Sequence, residues 1–263
     1  MFKIKSIGKI VATFICIVLT ALGVEKPLVI GMELAYPPFE MTDERGNPTG
    51  FSVDMSKDLG KYLKREIKIE NMSYGGLIPA LKTNKIDIIL SSMTITQERL
   101  KSISFSIPYA KSYLSILVNK NSPVEKVADL NVKGRKIAVK KGTTGHLVAT
   151  EYFPNAEILV FDKETPAVLE VTQGKVDAFI YDPLTVIKNW KDNPNTTKPI
   201  FEQFQKESEN WGIGYRQEDT QLGEQINSFI KNYKATGGFD KLSEKYLGEQ
   251  KKAFDERGIP FFF

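Results

Sequence analysis

Short apolar runs alternate with amphipathic segments along most of this chain, and the alternation predicts strands and helices in turn. Mostly apolar runs predict a buried strand at 26–32 and a strand buried on both faces at 86–90. Apolar residues keep to one side of the segments 53–63 and 221–235, which predicts amphipathic helices. Strands that alternate with helices favour an α/β fold with largely parallel sheets.

A weak internal repeat divides this pattern into two units. Residues 84–91 (Asn-Lys-Ile-Asp-Ile-Ile-Leu-Ser) resemble residues 174–181 (Gly-Lys-Val-Asp-Ala-Phe-Ile-Tyr). Each stretch follows a predicted helix, forms a buried strand and leads into polar residues. Ligands of α/β folds lie beyond the carboxyl ends of the strands, so this rule points to residues 91–99 and 181–182.

The segment 91–99, Ser-Ser-Met-Thr-Ile-Thr-Gln-Glu-Arg, places four hydroxyl groups and one guanidinium within nine residues. Thr96 is a good N-cap for a short helix beginning at Gln97. A helix N-terminus carries partial positive charge, and Arg99 can grip a carboxylate with two parallel bonds. The segment therefore predicts an anion site; the alternative is a solvated arginine in an ordinary first turn.

Prolines locate further helix starts. Thr165 before Pro166 predicts an N-cap followed by proline at the first helical position, and Asp182 before Pro183 predicts the start of another helix. The tail 260–263, Pro-Phe-Phe-Phe, has no assignable role and is either docked or disordered.

Composition narrows the class of protein. The 263 residues are 41% hydrophobic and 11% aromatic, which suffices for one large or two modest packed domains. One cysteine excludes an intrachain disulfide, and one histidine, His146, leaves no transition-metal cluster to propose. We expect no cofactor.

Residues 1–23 have the pattern of a secretory signal. Three lysines precede an apolar segment of 13 residues, 10–22, and small residues precede a cleavage point before Val24. A membrane span needs about 20 residues, although a retained anchor is the alternative. Cys16 lies inside the apolar segment. Removing the three lysines lowers the net charge from +4 to +1 (4 − 3), and this near-neutral balance does not favour nucleic-acid binding.

Five segments, in their order and spacing, resemble the bacterial extracytoplasmic amino-acid-binding proteins that serve ABC importers (extracellular solute-binding protein family 3). They are residues 35–40, 50–54, 93–99, 105–109 and 174–178. The resemblance covers about residues 26–248 and implies a two-lobed type II periplasmic-binding-protein fold with two hinge crossings. Lobe 1 would comprise residues 25–112 and 209–263, and lobe 2 residues 113–208. It also implies a monomer in the periplasm that partners a membrane permease and is not an enzyme.

The resemblance further implies a ligand site. Arg99 would clamp the ligand α-carboxylate, Asp182 would hold the α-ammonium, and Thr144 would supply a backbone donor from lobe 2. The remaining implied residues are hydroxyl groups near the head group and aromatic rings beside the side chain: Ser91, Ser92, Thr94 and Thr143, with Tyr36 and Phe51. A zwitterion leaves water only when both charges are met, so a ligand bridging the two lobes would stabilise closure. Alternatively, Asp182 is only an N-cap, and Tyr36 and Phe51 belong to the core.

The side-chain specificity depends on Glu33. In the family that position lies near the ligand side chain, and an acid there suits a cationic ligand, which favours arginine or lysine and leaves glutamine possible. Alternatively, Glu33 faces solvent and pairs with a surface lysine. A rival function is a cyclohexadienyl or arogenate dehydratase on the same fold, with Glu164 or Glu170 and Lys140 as acid and base.

Overall fold

The computed structural model describes residues 26–205 and 208–263. The expected signal segment 1–23, with Cys16, lies outside the described residues. Within the described ranges, no helix is both long enough and apolar enough to cross a membrane.

The described residues form short strands and helices in close alternation. The strands are β1 (Leu28–Met32), β2 (Met41–Thr42), β3 (Pro48–Thr49), β4 (Ile67–Asn71), β5 (Ile88–Ile89), β6 (Ser104–Phe105), β7 (Ala110–Ser112), β8 (Ser115–Asn119), β9 (Lys136–Lys140), β10 (Glu157–Phe161), β11 (Ala178–Tyr181), β12 (Thr197–Ile200), β13 (Glu209–Trp211) and β14 (Gly214–Tyr215). The α-helices are α1 (Phe51–Leu63), α2 (Leu77–Lys82), α3 (Gln97–Leu100), α4 (Thr144–Tyr152), α5 (Glu164–Thr172), α6 (Pro183–Asp192), α7 (Thr220–Ala235), α8 (Gly238–Tyr246) and α9 (Gly248–Asp255). Two 3₁₀ segments cover Tyr74–Gly76 and Val127–Leu130.

Two five-stranded sheets organise the molecule. Sheet 1 has the order β4-β1-β5-β14-β6, and sheet 2 has the order β10-β9-β11-β8-β12. In sheet 1, β1 pairs in parallel with β4 and β5; in sheet 2, β9 pairs in parallel with β10 and β11. The expected α/β architecture is confirmed, but the sheets are mixed rather than largely parallel, because β14 pairs antiparallel with β5 and β6, and β8 pairs antiparallel with β11 and β12.

A two-stranded antiparallel pair, β7 with β13, runs between the two sheets. Each of its strands joins, along the chain, a stretch that belongs to sheet 1 and a stretch that belongs to sheet 2. The division into lobes at 25–112, 113–208 and 209–263 stays a prediction, and these sheet memberships are what supports it.

Several local expectations are confirmed in detail. Thr96 caps α3, where its side chain accepts a hydrogen bond from Arg99 N at 3.2 Å. Asp182 caps α6 and is followed by proline in the first turn. The expectation for Thr165 is wrong, because α5 already begins at Glu164 with Lys163 as N-cap. Pro166 is accommodated because the first-turn N–H groups have no partner within the helix.

The C-terminal segment is docked onto sheet 1 and the β7–β13 pair. Helix α9 was not expected from the sequence, and beyond it the backbone oxygen of Phe262 accepts a hydrogen bond from Lys111 N at 2.8 Å. The ring of Phe262 packs on Phe39 and Trp211 with centroid distances of 5.0 and 5.1 Å. The tail therefore completes an aromatic core directly behind the β7–β13 pair.

Candidate functional site

A cavity lies between the two sheets, at the carboxyl ends of their strands. Glu33 follows β1, Ser91 lies just beyond β5, and Asp182 follows β11. Among the ten residues expected in the site, eight line the cavity: Glu33, Tyr36, Ser91, Ser92, Thr94, Thr143, Thr144 and Asp182. Arg99 and Phe51 do not line it.

Arg99 lies immediately behind this lining. It is only 5% exposed; its Nη1 donates to the backbone oxygen of Thr94 at 2.5 Å, and its Nη2 donates to that of Gly142 at 2.9 Å. The guanidinium also stands over the ring of Tyr74. Among the described residues, no carboxylate is paired with it. Arg99 is therefore a buried cation bonded to two uncharged backbone oxygens, that of Thr94 beyond β5 and that of Gly142 beyond β9.

Asp182, which lines the cavity, carries the charge opposite to that of Arg99. It is 6% exposed, and its Oδ1 accepts a hydrogen bond from Thr185 N at 3.1 Å as the N-cap of α6. Burial raises the pKa of Asp182 to about 6, against the hydrogen bond from Thr185 N, which lowers it. No cation in the described ranges is paired with it. Its second carboxylate oxygen therefore remains available for a cationic partner.

Glu33 and Lys140 form an ion pair between the sheets. The Nζ of Lys140, at the end of β9, donates to Oε2 of Glu33, and the lysine side chain is 2% exposed. Glu33 lines the cavity, and both residues line a wider, more open groove next to it. The alternative of a solvent-facing Glu33 is therefore wrong, since its partner is a buried lysine.

The start of helix α4 supplies backbone donors to the cavity wall. Thr144 and Gly145 line the cavity, and the first N–H groups of a helix have no partner within the helix. The side chain of Thr143 is already engaged, since its Oγ1 donates to Lys140 O at 2.7 Å and accepts from His146 N at 3.4 Å. An anion beside Thr144 would meet this positive helix end.

Hydroxyl groups of sheet 1 are also partly engaged. Ser91 Oγ accepts from Glu33 N at 3.0 Å, and Thr94 Oγ1 donates to Glu209 Oε2 at 2.8 Å. Ser92 Oγ donates to Oε2 of Glu40 at 3.2 Å. Burial raises the pKa of Glu40 to about 8, so this cavity-lining carboxyl is largely protonated at neutral pH.

Aromatic rings close the remaining wall, and they only partly match expectation. Tyr36, Tyr74, Tyr181 and Trp211 line the cavity. Phe51 lies elsewhere: it is fully buried in the core, stacked on Phe263 at 5.2 Å. A ligand-facing ring and a core ring give the same apolar pattern in a sequence.

Three important residues were not anticipated in these positions: Tyr74, Glu40 and, as the partner of Glu33, Lys140. Tyr74 lies just after β4, so the rule that points to strand carboxyl ends could have found it. Lys140 ends the otherwise apolar run Ile137–Val139, and a lysine at such a place is a signal in itself.

Of the two acids proposed for the rival enzyme, Glu164 shares a groove with Lys140, whereas Glu170 does not line that groove. Glu164 lines the wider groove together with Lys140. Burial raises the pKa of Glu164, and the positive charge of Lys140 acts in the opposite direction. Glu170 instead pairs with Lys175 at 3.5 Å. No group of three or more His, Cys, Asp or Glu residues that could hold a metal occurs within the described ranges.

Comparisons with known proteins agree with this geometry. The chain is 31% identical over 241 residues to the L-arginine-binding protein of Pseudomonas aeruginosa, covering 87% of this chain and 91% of the relative. It is 29% identical over 222 residues to the L-cystine-binding protein TcyJ of Escherichia coli, covering 84% and 82%. A solved ancestral arginine-binding protein bound to arginine superposes with a TM-score of 0.76 at 35% identity, covering 86% of this chain and 100% of that one.

The family model of the bacterial extracellular solute-binding proteins, family 3, matches residues 28–249, which is most of the chain. The chain shares its fold with the solved ancestral arginine-binding protein. This chain belongs to the bacterial extracellular solute-binding proteins, family 3.

Proposed function

We propose that this protein captures a single L-amino acid in the cavity between its two sheets and delivers it to the permease of an ABC importer. In this proposal the α-carboxylate is met by Arg99 and the N-terminus of α4, and the α-ammonium by Asp182. The protein acts outside the cytoplasm, in the periplasm, as a monomer, and performs no chemistry on the ligand.

The observation that carries the proposal is a pair of buried, uncompensated charges. Asp182 lines the cavity and Arg99 lies directly behind its lining, and neither has a partner of opposite charge in the described ranges. Leaving a buried charge without a counter-charge is costly. An amino-acid zwitterion brings one charge to each, whereas a simple anion or a simple cation compensates only one.

The contacts proposed for the ligand carboxylate would also bring the two sheets together around the ligand. Arg99, in helix α3, donates to the backbone oxygen of Gly142, which lies in the turn after β9 of sheet 2. A carboxylate placed between Arg99 and the first N–H groups of α4 would hold the two sides together. Binding would therefore favour the closed arrangement, which is the form an importer has to recognise.

The relatives support an amino acid as the ligand, and their names differ in its side chain. The solved ancestral relative is bound to arginine, and TcyJ is named for L-cystine. The expectation of arginine or lysine for this chain depended on an uncompensated Glu33. Because Glu33 is paired with Lys140, that reason no longer applies.

A thermal-shift screen of the twenty L-amino acids and L-cystine, followed by calorimetric titration of those that stabilise the protein, tests the proposal. We expect at least one L-amino acid to bind, and Arg99→Ala to lose that response. If no compound shifts the wild-type protein, or if the variant responds equally, the proposal fails. Turnover of prephenate or arogenate in the same samples would favour the rival dehydratase instead.

A further inference from the structure

The Glu33–Lys140 ion pair stands at the boundary between two compartments of the cleft. The inner cavity is lined by Glu33 together with the head-group residue Asp182. The outer groove, of about 1700 Å³ and open to solvent, is lined by both members of the pair. A ligand whose head group occupies the inner cavity therefore directs its side chain towards this pair.

The surroundings of Lys140 hold its charge in place. Its Nζ lies 5.7 Å from the ring centroid of Tyr74 and 5.9 Å from that of Tyr181. Glu33 is the carboxylate it bonds, and the buried carboxyl of Glu164 also faces it across the groove. Ring faces stabilise a cation but do not replace a counter-charge. Lys140 consequently depends on Glu33.

This dependence determines which side chains the cleft can accept. A cationic side chain would have to share the buried carboxylate of Glu33 with Lys140, which places two positive charges around that one carboxylate. An anionic side chain would instead place a second negative charge, beside that of Glu33, next to Lys140. A group with both a donor and an acceptor can donate to Glu33 and accept from Lys140 without adding net charge.

We propose that Lys140, through its pair with Glu33, selects L-amino acids whose side chain ends in a dipolar group and rejects those with a cationic side chain. This inference deepens the proposed function and rests on it. Two sources supply the same chemistry: a carboxamide, as in glutamine, and a second amino-acid head group, as in L-cystine. The carboxamide would end at the pair, where the inner cavity meets the outer groove, whereas the second head group would extend into the outer groove.

The test is calorimetric titration of the wild-type protein with glutamine, asparagine, L-cystine, arginine and lysine. We expect a dipolar ligand to bind at least tenfold more tightly than arginine or lysine. Glutamine and L-cystine distinguish the two sources. Tighter binding of arginine or lysine by the wild-type protein would overturn the inference and leave the proposed function intact, whereas no binding of any amino acid would overturn both.

Lys140→Met tests the residue itself. Freeing Glu33 should raise the affinity for arginine or lysine at least tenfold and lower that for the dipolar ligand. Lys141→Met is the matched control, because the neighbouring lysine side chain is 65% exposed and pairs only loosely, at 3.9 Å, with Asp162. It should leave the ranking of ligands unchanged.

A second variant covers the case in which an unpaired Glu33 prevents folding. Glu33→Gln combined with Lys140→Met removes both buried charges together, which preserves a neutral site. We expect this double variant to fold, to keep amino-acid binding and to lose most of the discrimination between glutamine and arginine. An unchanged ranking in either folded variant would overturn the assignment to Lys140.

Discussion

The cleft contains two pairs of opposite charges, and they are arranged in contrasting ways. Arg99 and Asp182 are both buried, Arg99 behind the cavity lining and Asp182 in it, and are not compensated by other described residues. Glu33 and Lys140, also buried, compensate each other directly. In the proposed function, the uncompensated pair meets the charged head group of the ligand, whereas the compensated pair meets the far end of its side chain.

The largest expected effect is at Arg99. Arg99→Ala should weaken amino-acid binding by about 3–5 kcal/mol, because the ligand carboxylate would be left buried without a cation. This is roughly a hundredfold to several thousandfold in Kd, measured by calorimetric titration. The affinity of Arg99→Lys should lie between that of the wild-type protein and that of Arg99→Ala, since lysine keeps the positive charge but lacks the planar arrangement of N–H donors in arginine. Equal affinities in all three would show that Arg99 does not meet the ligand.

Asp182→Asn should weaken binding by about 1.5–3 kcal/mol, the usual value of a hydrogen bond to a charged group. Asparagine is as good an N-cap as aspartate, so helix α6 should keep its start and the melting temperature should change little. Calorimetric titration and thermal melting, carried out on the same samples, separate the two roles. A large loss of stability with unchanged affinity would mean that Asp182 is only a cap.

The pH dependence of binding should follow Asp182. Its pKa of about 6 means that the ammonium loses its ionised partner as the pH falls below 6, so affinity should drop about tenfold per pH unit there. Titrations between pH 4 and pH 8 would check this slope, and Asp182→Asn should abolish it.

Stability of the ligand-free protein should respond to Asp182 in the opposite direction. The unfolded chain releases this proton near pH 3.8 and the folded chain near pH 6. The folded state therefore holds more protons in that interval, and the free energy of unfolding decreases as the pH rises through it. Denaturant unfolding of the wild-type protein and Asp182→Asn across that interval would isolate this contribution. A wild-type profile parallel to that of the variant would contradict the pKa shift.

The smallest effect is expected at Thr143, whose hydroxyl already has partners in Lys140 and His146. Thr143→Ala should lower the free energy of unfolding by about 1 kcal/mol through loss of the α4 cap. Its effect on Kd should be less than about threefold. Chemical denaturation and titration together check both numbers. A loss of affinity comparable to that of Asp182→Asn would show that engaged groups also bind ligand, which would weaken the contrast between the two pairs.

Features set by neighbouring residues could be predicted from the sequence. The Thr96 cap, the start of α6 at Asp182 and the clustering of polar residues beyond β5 and β11 all follow from short segments. The α/β class followed from the alternation of strands and helices. These interactions depend on residues close in the chain, so a local pattern contains them.

What could not be predicted depends on residues distant in the chain. Glu33 and Lys140 are 107 positions apart, and no local pattern reveals that one neutralises the other. Phe51 was expected beside the ligand, but its ring stacks on Phe263, at the far end of the chain, within the core. Helix α9 was missed and the docking of the tail was left open, because both depend on packing rather than on local preference: Phe254 of α9 packs on Phe262, whose ring packs on Phe39 and Trp211.

The most direct test of the central claim uses ligand analogues that lack one charge of the head group. The best-binding L-amino acid, its α-carboxamide and its analogue without the α-amino group would be titrated into the wild-type protein, Arg99→Ala and Asp182→Asn. The wild-type protein should discriminate against both analogues by at least tenfold, Arg99→Ala should lose discrimination against the carboxamide, and Asp182→Asn should lose discrimination against the analogue without the amino group. Wild-type affinities that are equal for all three ligands would contradict the claim.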